Sequence, residues 1–116
     1  MSEAPSPPRN VLFVCSRNQW RSPTAEQLFR RHPGLSVRSA GTSAGARRRV
    51  SYDDLRWADV VLVMESKHAS RLRAEFGAAL GDLPIRVLEI PDEYGYMHPE
   101  LVELLQTAVP AALDLP

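Results

Sequence analysis

Apolar positions in this chain form two patterns, short continuous runs and helical stripes, and the two alternate. Val11-Leu-Phe-Val14 is a continuous apolar run, which suits a strand buried on both faces of a parallel sheet. A polar segment, residues 15–21, follows it directly. Ser22-Pro-Thr-Ala-Glu26 then carries helix-start signals, with Ser22 at the N-cap, Pro23 at the first helical position and Glu26 in the first turn. Ala25, Leu28 and Phe29 give that helix an apolar face, and His32-Pro-Gly34 ends it. Residues 35–39 predict a second strand, 40–45 a flexible loop, and 47–49 a solvated basic run. A short helix is expected over 51–57, with Trp57 in the core, and a buried strand over 59–64. Residues 66–76 alternate charges with Leu72 and Phe76, as an amphipathic helix does. After a connection at 77–84 come a fourth strand over 85–90 and a loop over 91–97. A last helix starting at His98 carries Leu101, Leu104 and Leu105 on one face.

Strand–helix alternation of this kind predicts an α/β fold. The expected architecture is three-layer: a four-stranded parallel sheet with helices on both faces, flavodoxin-like, in the strand order 2-1-3-4. Ligands of such sheets bind at the carboxyl ends of strands. The polar loops at 15–21 and 91–97 each follow a strand, so the topology brings both to one rim.

The chain has 116 residues, 44% of them hydrophobic and 24% charged, with a formal net charge of +0. That length suits one domain. Neutrality gives no general reason to expect nucleic acid or a membrane surface as partner. Of 14 basic residues only Lys67 is a lysine; the rest are arginines, suited to bidentate phosphate contacts. A single cysteine, Cys15, excludes an internal disulfide framework and fits a reducing compartment. Residues 1–10 include three prolines and no apolar signal core, so they read as a disordered lead-in and the expected location is cytoplasmic. His32, His68 and His98 have no metal-ligand spacing, so no metal, no cofactor and no histidine site is expected.

The candidate chemistry lies in Cys15-Ser-Arg-Asn-Gln-Trp-Arg21-Ser22, a C-x5-R-S motif between a buried strand and a helix start. Unpaired N–H groups and the helix dipole make such a place an anion site. A curled loop aims successive N–H groups at phosphate oxygens, here those of Cys15, Ser16, Arg17, Asn18, Gln19, Trp20 and Arg21. Arg21 adds a bidentate guanidinium. A helix N-terminus and a nearby arginine favour the ionised form of a cysteine, and the Ser22 hydroxyl can donate to that sulfur. A thiolate nucleophile divides slow phosphate-ester hydrolysis into two easier steps. The reaction then needs an acid for the leaving oxygen.

The segment Val11 to Glu26, with its apolar strand, C-x5-R-S-P and following Ala-Glu, resembles the opening of low-molecular-weight protein tyrosine phosphatases. The resemblance implies a single phosphatase-like domain over 11–116, Cys15 as nucleophile, Arg21 as phosphate-binding arginine and Ser22 as support for the thiolate. It implies that Asn18 holds the loop through side-chain hydrogen bonds, to Ser39. In the family the general acid lies in Asp-Pro-Tyr; here Pro91-Asp-Glu-Tyr94 keeps the Asp-x-Tyr spacing. Asp92 is then the acid, with Glu93 its rival, and Tyr94 walls the substrate pocket. Trp20 and Tyr96 are further pocket candidates, with core packing the alternative for each. The chain is shorter than usual members, carries Arg17 where glycine is common, and has Trp20 where many have a second cysteine.

The expected partners are a phosphorylated protein or small aryl phosphate as substrate and inorganic phosphate or other oxyanions as inhibitors. Two alternatives use the same loop: a phosphate-binding module without turnover, and a phosphocarrier. A thioredoxin-coupled arsenate reductase needs several cysteines and is disfavoured.

Overall fold

The computed structural model describes residues 9–115. In chain order the elements are β1 (Arg9–Cys15), α1 (Arg21–Phe29), β2 (Leu35–Gly41), α2 (Tyr52–Trp57), β3 (Val60–Val63), α3 (Ser66–Phe76), a 3-10 turn (Gly77–Leu80), β4 (Ile85–Val87) and α4 (Pro99–Ala112). The four strands form one parallel sheet in the order β2-β1-β3-β4.

The continuous apolar run of β1 is explained by two cores. Val11, Phe13 and Cys15 face one side, where Ala25 and Phe29 of α1 and Leu101, Leu105 and Val109 of α4 close over the sheet. Leu12 and Val14 face the other, against Leu55 of α2 and Ala69, Leu72 and Phe76 of α3. A strand buried on both faces has no position for a polar residue, and the period-2 alternation of a half-exposed strand disappears. The expected three-layer arrangement is therefore the observed one.

Boundaries differ in ways that bear on the site. β1 begins at Arg9, inside the expected lead-in; the remainder of that lead-in, residues 1–8, lies outside the described residues. β2 runs on to Gly41, pairing with β1 as far as Cys15, so residues 40 and 41 are strand rather than loop. β4 ends at Val87, yet Leu88 and Ile90 still donate to the carbonyls of Val63 and Met64, both at 2.8 Å. That carries the chain along the sheet to the rim where Asp92 stands.

The basic run is exposed at all three arginines, as expected, and two of them are also paired. Arg48 pairs with the fully buried Asp54 and donates to the Ser39 carbonyl at 2.8 Å, while Arg49 pairs with Glu75. Burial works to raise the Asp54 pKa, but hydrogen bonds from Arg48 and Ser51 outweigh it and hold the carboxyl below its ordinary value. Trp57 is part-buried, under the guanidinium of Arg38 at 4.2 Å. Among the described residues no helix is long and apolar enough to cross a membrane.

Candidate active site

The cysteine loop leaves the carboxyl end of the central strand and is turned inside out relative to ordinary secondary structure. Its carbonyls face the protein: those of Cys15, Ser16 and Arg17 accept from the N–H groups of Thr42, Ser43 and Arg47 at 3.0, 2.9 and 3.0 Å. Its N–H groups do not; among the described residues none from 16 to 22 donates to a protein acceptor. A loop whose acceptors are pinned outward leaves its donors converging inward, which is the condition for cradling an anion. The following segment must lie very close for this to work. A Cβ on Gly41 would stand 2.5 Å from the Ser16 carbonyl oxygen and 3.0 Å from the Asn18 nitrogen, so only glycine fits.

The helix start differs from its expected form. Trp20, not Ser22, takes the N-cap position, and no side chain caps α1. Pro23 is then the third helical residue. The Ser22 hydroxyl is used elsewhere, 3.0 Å from Cys15 Sγ. The uncapped helix end is left for an anion.

Asn18 is the keystone of the loop. It adopts the left-handed region, φ 56°, which asparagine tolerates better than most residues. Its amide nitrogen donates to Ser22 Oγ and Ser39 Oγ, both at 2.9 Å, and Ser39 Oγ donates to Glu26 at 2.6 Å. The sense of the chain follows from the donor count. Both Asn18 protons go to hydroxyl oxygens, so the single Ser22 proton is left to choose between the sulfur and the Ala40 carbonyl at 3.3 Å. An ionised sulfur wins that proton, because hydrogen bonds to a charged acceptor are the stronger ones.

Arg21 is buried at 2% exposure, and a buried cation is costly unless paired and hydrogen-bonded. Its Nη1 donates to Glu65 and to the Ile90 carbonyl, the latter at 2.8 Å. Burial works to raise the Glu65 pKa, but the Arg21 hydrogen bond and charge outweigh it and keep that carboxyl below its usual value. With Nη1 held, the Nε–Nη2 edge of the guanidinium remains for a ligand. Asp92 Oδ1 lies 3.7 Å from Nε, beyond hydrogen-bond range.

These parts share one pocket of about 200 Å³, lined by Cys15, Ser16, Arg17, Gln19, Trp20, Arg21 and Asp92. Asp92 lies on the pocket wall, half-exposed, whereas Glu93 is exposed and not part of the lining. Asn18 stands behind the loop, buried. A larger groove of about 570 Å³ adjoins through Gln19 and Trp20, and Tyr96 and Arg47 line it. Trp20 and Tyr96 are both about half-exposed, at 47% and 51%, so neither is core. Tyr94 is not a wall of the cysteine pocket. It packs on the α1/α4 core and lines a separate groove with Leu104 and Glu103. Tyr94 is part-buried against that core, and of the two tyrosines it is Tyr96 that lines the groove beside the cysteine pocket.

The chain and its fold have known relatives. A family model described as low molecular weight phosphotyrosine protein phosphatase matches residues 10–51. The low molecular weight protein-tyrosine-phosphatase Wzb of Escherichia coli K12 is 34% identical over 114 residues, covering 73% of this chain and 78% of that one. This chain belongs to the low molecular weight protein tyrosine phosphatase family. Members are cysteine-dependent phosphatases. Among solved structures, the tyrosine phosphatase Wzb from Escherichia coli K30 in complex with phosphate superimposes with a TM-score of 0.74 at 25% identity, over 92% of this chain and 98% of that one. The YwlE arginine phosphatase from Geobacillus stearothermophilus shares the fold, with a TM-score of 0.71 at 24% identity over 92% of this chain and 94% of that one.

Two residues of the site escape a reading of the sequence. Glu65 and His68 come from the end of β3 and the start of α3, far along the chain from the loop they support. Only a charged residue immediately after an apolar strand, Met64-Glu65, hints at a rim position.

Proposed function

We propose that this chain is a cytoplasmic phosphomonoesterase acting on phosphotyrosine in proteins or on small aryl phosphates, with Cys15 as nucleophile and Asp92 as general acid. The observation that carries the reading is the convergence of Cys15, Arg21 and Asp92 on one pocket whose loop N–H groups find no acceptor among the described residues. Phosphate oxygens accept from the loop N–H groups and from the free edge of Arg21. The sulfur attacks phosphorus, the phosphorus–oxygen ester bond breaks, and the leaving oxygen takes the Asp92 proton. A water then attacks the phosphocysteine and gives its proton to the Asp92 carboxylate. The sulfur leaves with the bonding electron pair, and Ser22 donates to it at 3.0 Å. The half-exposed Trp20 and Tyr96 suit a ring-bearing ester at the pocket mouth. Inorganic phosphate and other tetrahedral oxyanions are then inhibitors, and no metal or cofactor is needed.

The test is hydrolysis of p-nitrophenyl phosphate by reduced protein with a chelator present. Wild type turns over and Cys15→Ser does not. Phosphate-competitive binding without turnover in wild type would leave a binding module instead, and a phosphocysteine discharged only to a second protein would leave a phosphocarrier.

A further inference from the structure

His68 is buried at 1% exposure and touches the cysteine loop. Its Nδ1 accepts from the Glu65 backbone N–H at 3.0 Å. A neutral imidazole carries one proton, so that proton is on Nε2. Nε2 lies 2.9 Å from Ser16 Oγ, and the imidazole is therefore the donor and the serine the acceptor. Ser16 has its own hydroxyl proton left over, with no other partner among the described residues, and it lines the pocket beside Cys15. A doubly protonated ring would set an Nδ1–H against the Glu65 N–H. Burial and the Arg21 charge oppose that form further, lowering the His68 pKa from 6.5 to about 4, against the weaker opposing pull of Glu65 and Asp92. The donor arrangement therefore persists at neutral pH.

We propose that Ser16 is a catalytic residue that donates its hydroxyl hydrogen bond to the bound phosphoryl group, and that His68 is the positioning residue that fixes that proton toward the pocket. The proposal rests on the reading of the pocket as a phosphate site. It differs from the loop N–H groups in kind, because a side-chain hydroxyl is free to rotate unless something holds it. A preorganised donor is worth more than one that must turn at the moment of reaction. Glu65 links the two halves of the support: its carboxylate anchors Arg21 and its N–H anchors His68.

Four variants and one spectrum test this. Ser16→Ala lowers kcat/KM for p-nitrophenyl phosphate by about 10- to 100-fold and weakens competitive inhibition by inorganic phosphate, as expected for losing one hydrogen bond to a charged group. His68→Asn keeps an acceptor for the Glu65 N–H but has no donor that reaches Ser16; it loses as much as Ser16→Ala, and the double variant loses no more than either. His68→Gln keeps the donor and restores most of the activity. In wild type, nitrogen-15 shifts of His68 report the Nε2–H tautomer. Unchanged phosphate inhibition in Ser16→Ala, multiplying losses in the double variant, or an Nδ1–H tautomer would each overturn the proposal. Phosphate affinity and the tautomer need no turnover. A wild type that binds phosphate through Ser16 without hydrolysis therefore sinks the phosphatase reading alone, and normal hydrolysis indifferent to Ser16 sinks this inference alone.

Discussion

The two loops that meet at the pocket are built in opposite ways. The cysteine loop is held by three pinned carbonyls, by the buried Asn18 and Ser39 network and by an ion pair beneath Arg21. The Asp92 loop is held at its ends, by Ile90 N–H on Met64 and by Met97 N–H on Thr24 Oγ1 at 3.0 Å. Between these anchors Asp92 is half-exposed and Glu93 exposed. Glu89 and Met97 both adopt left-handed backbone, each with φ 58°, an arrangement that non-glycine residues hold only under constraint from their surroundings. The contrast matches the two tasks. Binding developing negative charge rewards donors that need no reorganisation. Delivering one proton requires only that a carboxyl reach the leaving oxygen.

The comparison can be broken most directly at Asp92. Asp92→Asn should lower kcat for phosphotyrosine peptide by about 10²- to 10⁴-fold, with a smaller fall for p-nitrophenyl phosphate, whose leaving group needs less help. Phosphate inhibition should persist, because the donors to the anion are the loop N–H groups and Arg21 and the substitution removes none of them. An equal fall on both substrates would show that Asp92 does not serve the leaving oxygen.

The rigid side has a pH signature. His68 has its pKa lowered to about 4 in the folded protein, against roughly 6.5 in an unfolded chain. Between those values the unfolded state binds more protons, so stability falls as pH drops from about 6.5 toward 4, by on the order of 3 kcal/mol from this group. Urea unfolding of wild type and His68→Gln across that range measures it. The wild-type loss should be steeper, and parallel curves would remove the prediction.

Next in size is Gly41→Ala. The new Cβ meets backbone atoms of residues 16 and 18, and overpacking of this kind costs about 1–3 kcal/mol. The melting temperature should fall and phosphate inhibition weaken together, since one contact supports both. The smallest effect sharpens the choice within the acid loop: Glu93→Gln should change kcat/KM less than about twofold, because that side chain is exposed and away from the pocket lining. A large loss would move the acid role to Glu93.

What could be read early and what could not divides along the same line. The cysteine loop is contiguous: the apolar strand, C-x5-R-S-P and the helix after it sit within 16 consecutive residues, 11–26. The mobile-looking spelling of 40–45 concealed a strand end, because backbone pairing with β1 leaves no mark on side-chain choice beyond Gly41. The Asp-x-Tyr spacing places Tyr94 near Asp92 along the chain but not in space at the pocket, because its ring packs part-buried against the core that α4 helps to form. His68 looked like an isolated histidine on a helix because its partner, Ser16, lies 52 positions earlier.

By itself the sequence determined the alternating parallel architecture, through doubly buried apolar runs, and the chemistry of the nucleophile loop, because a helix start, a thiol and an arginine are local neighbours. Tertiary structure alone decided which carbonyls are pinned, which carboxylate supports Arg21, which tyrosine lines the groove beside the pocket and that His68 reaches Ser16. Those depend on hydrogen bonds between the ends of different strands, and such bonds are fixed by position in space, which residue order does not record.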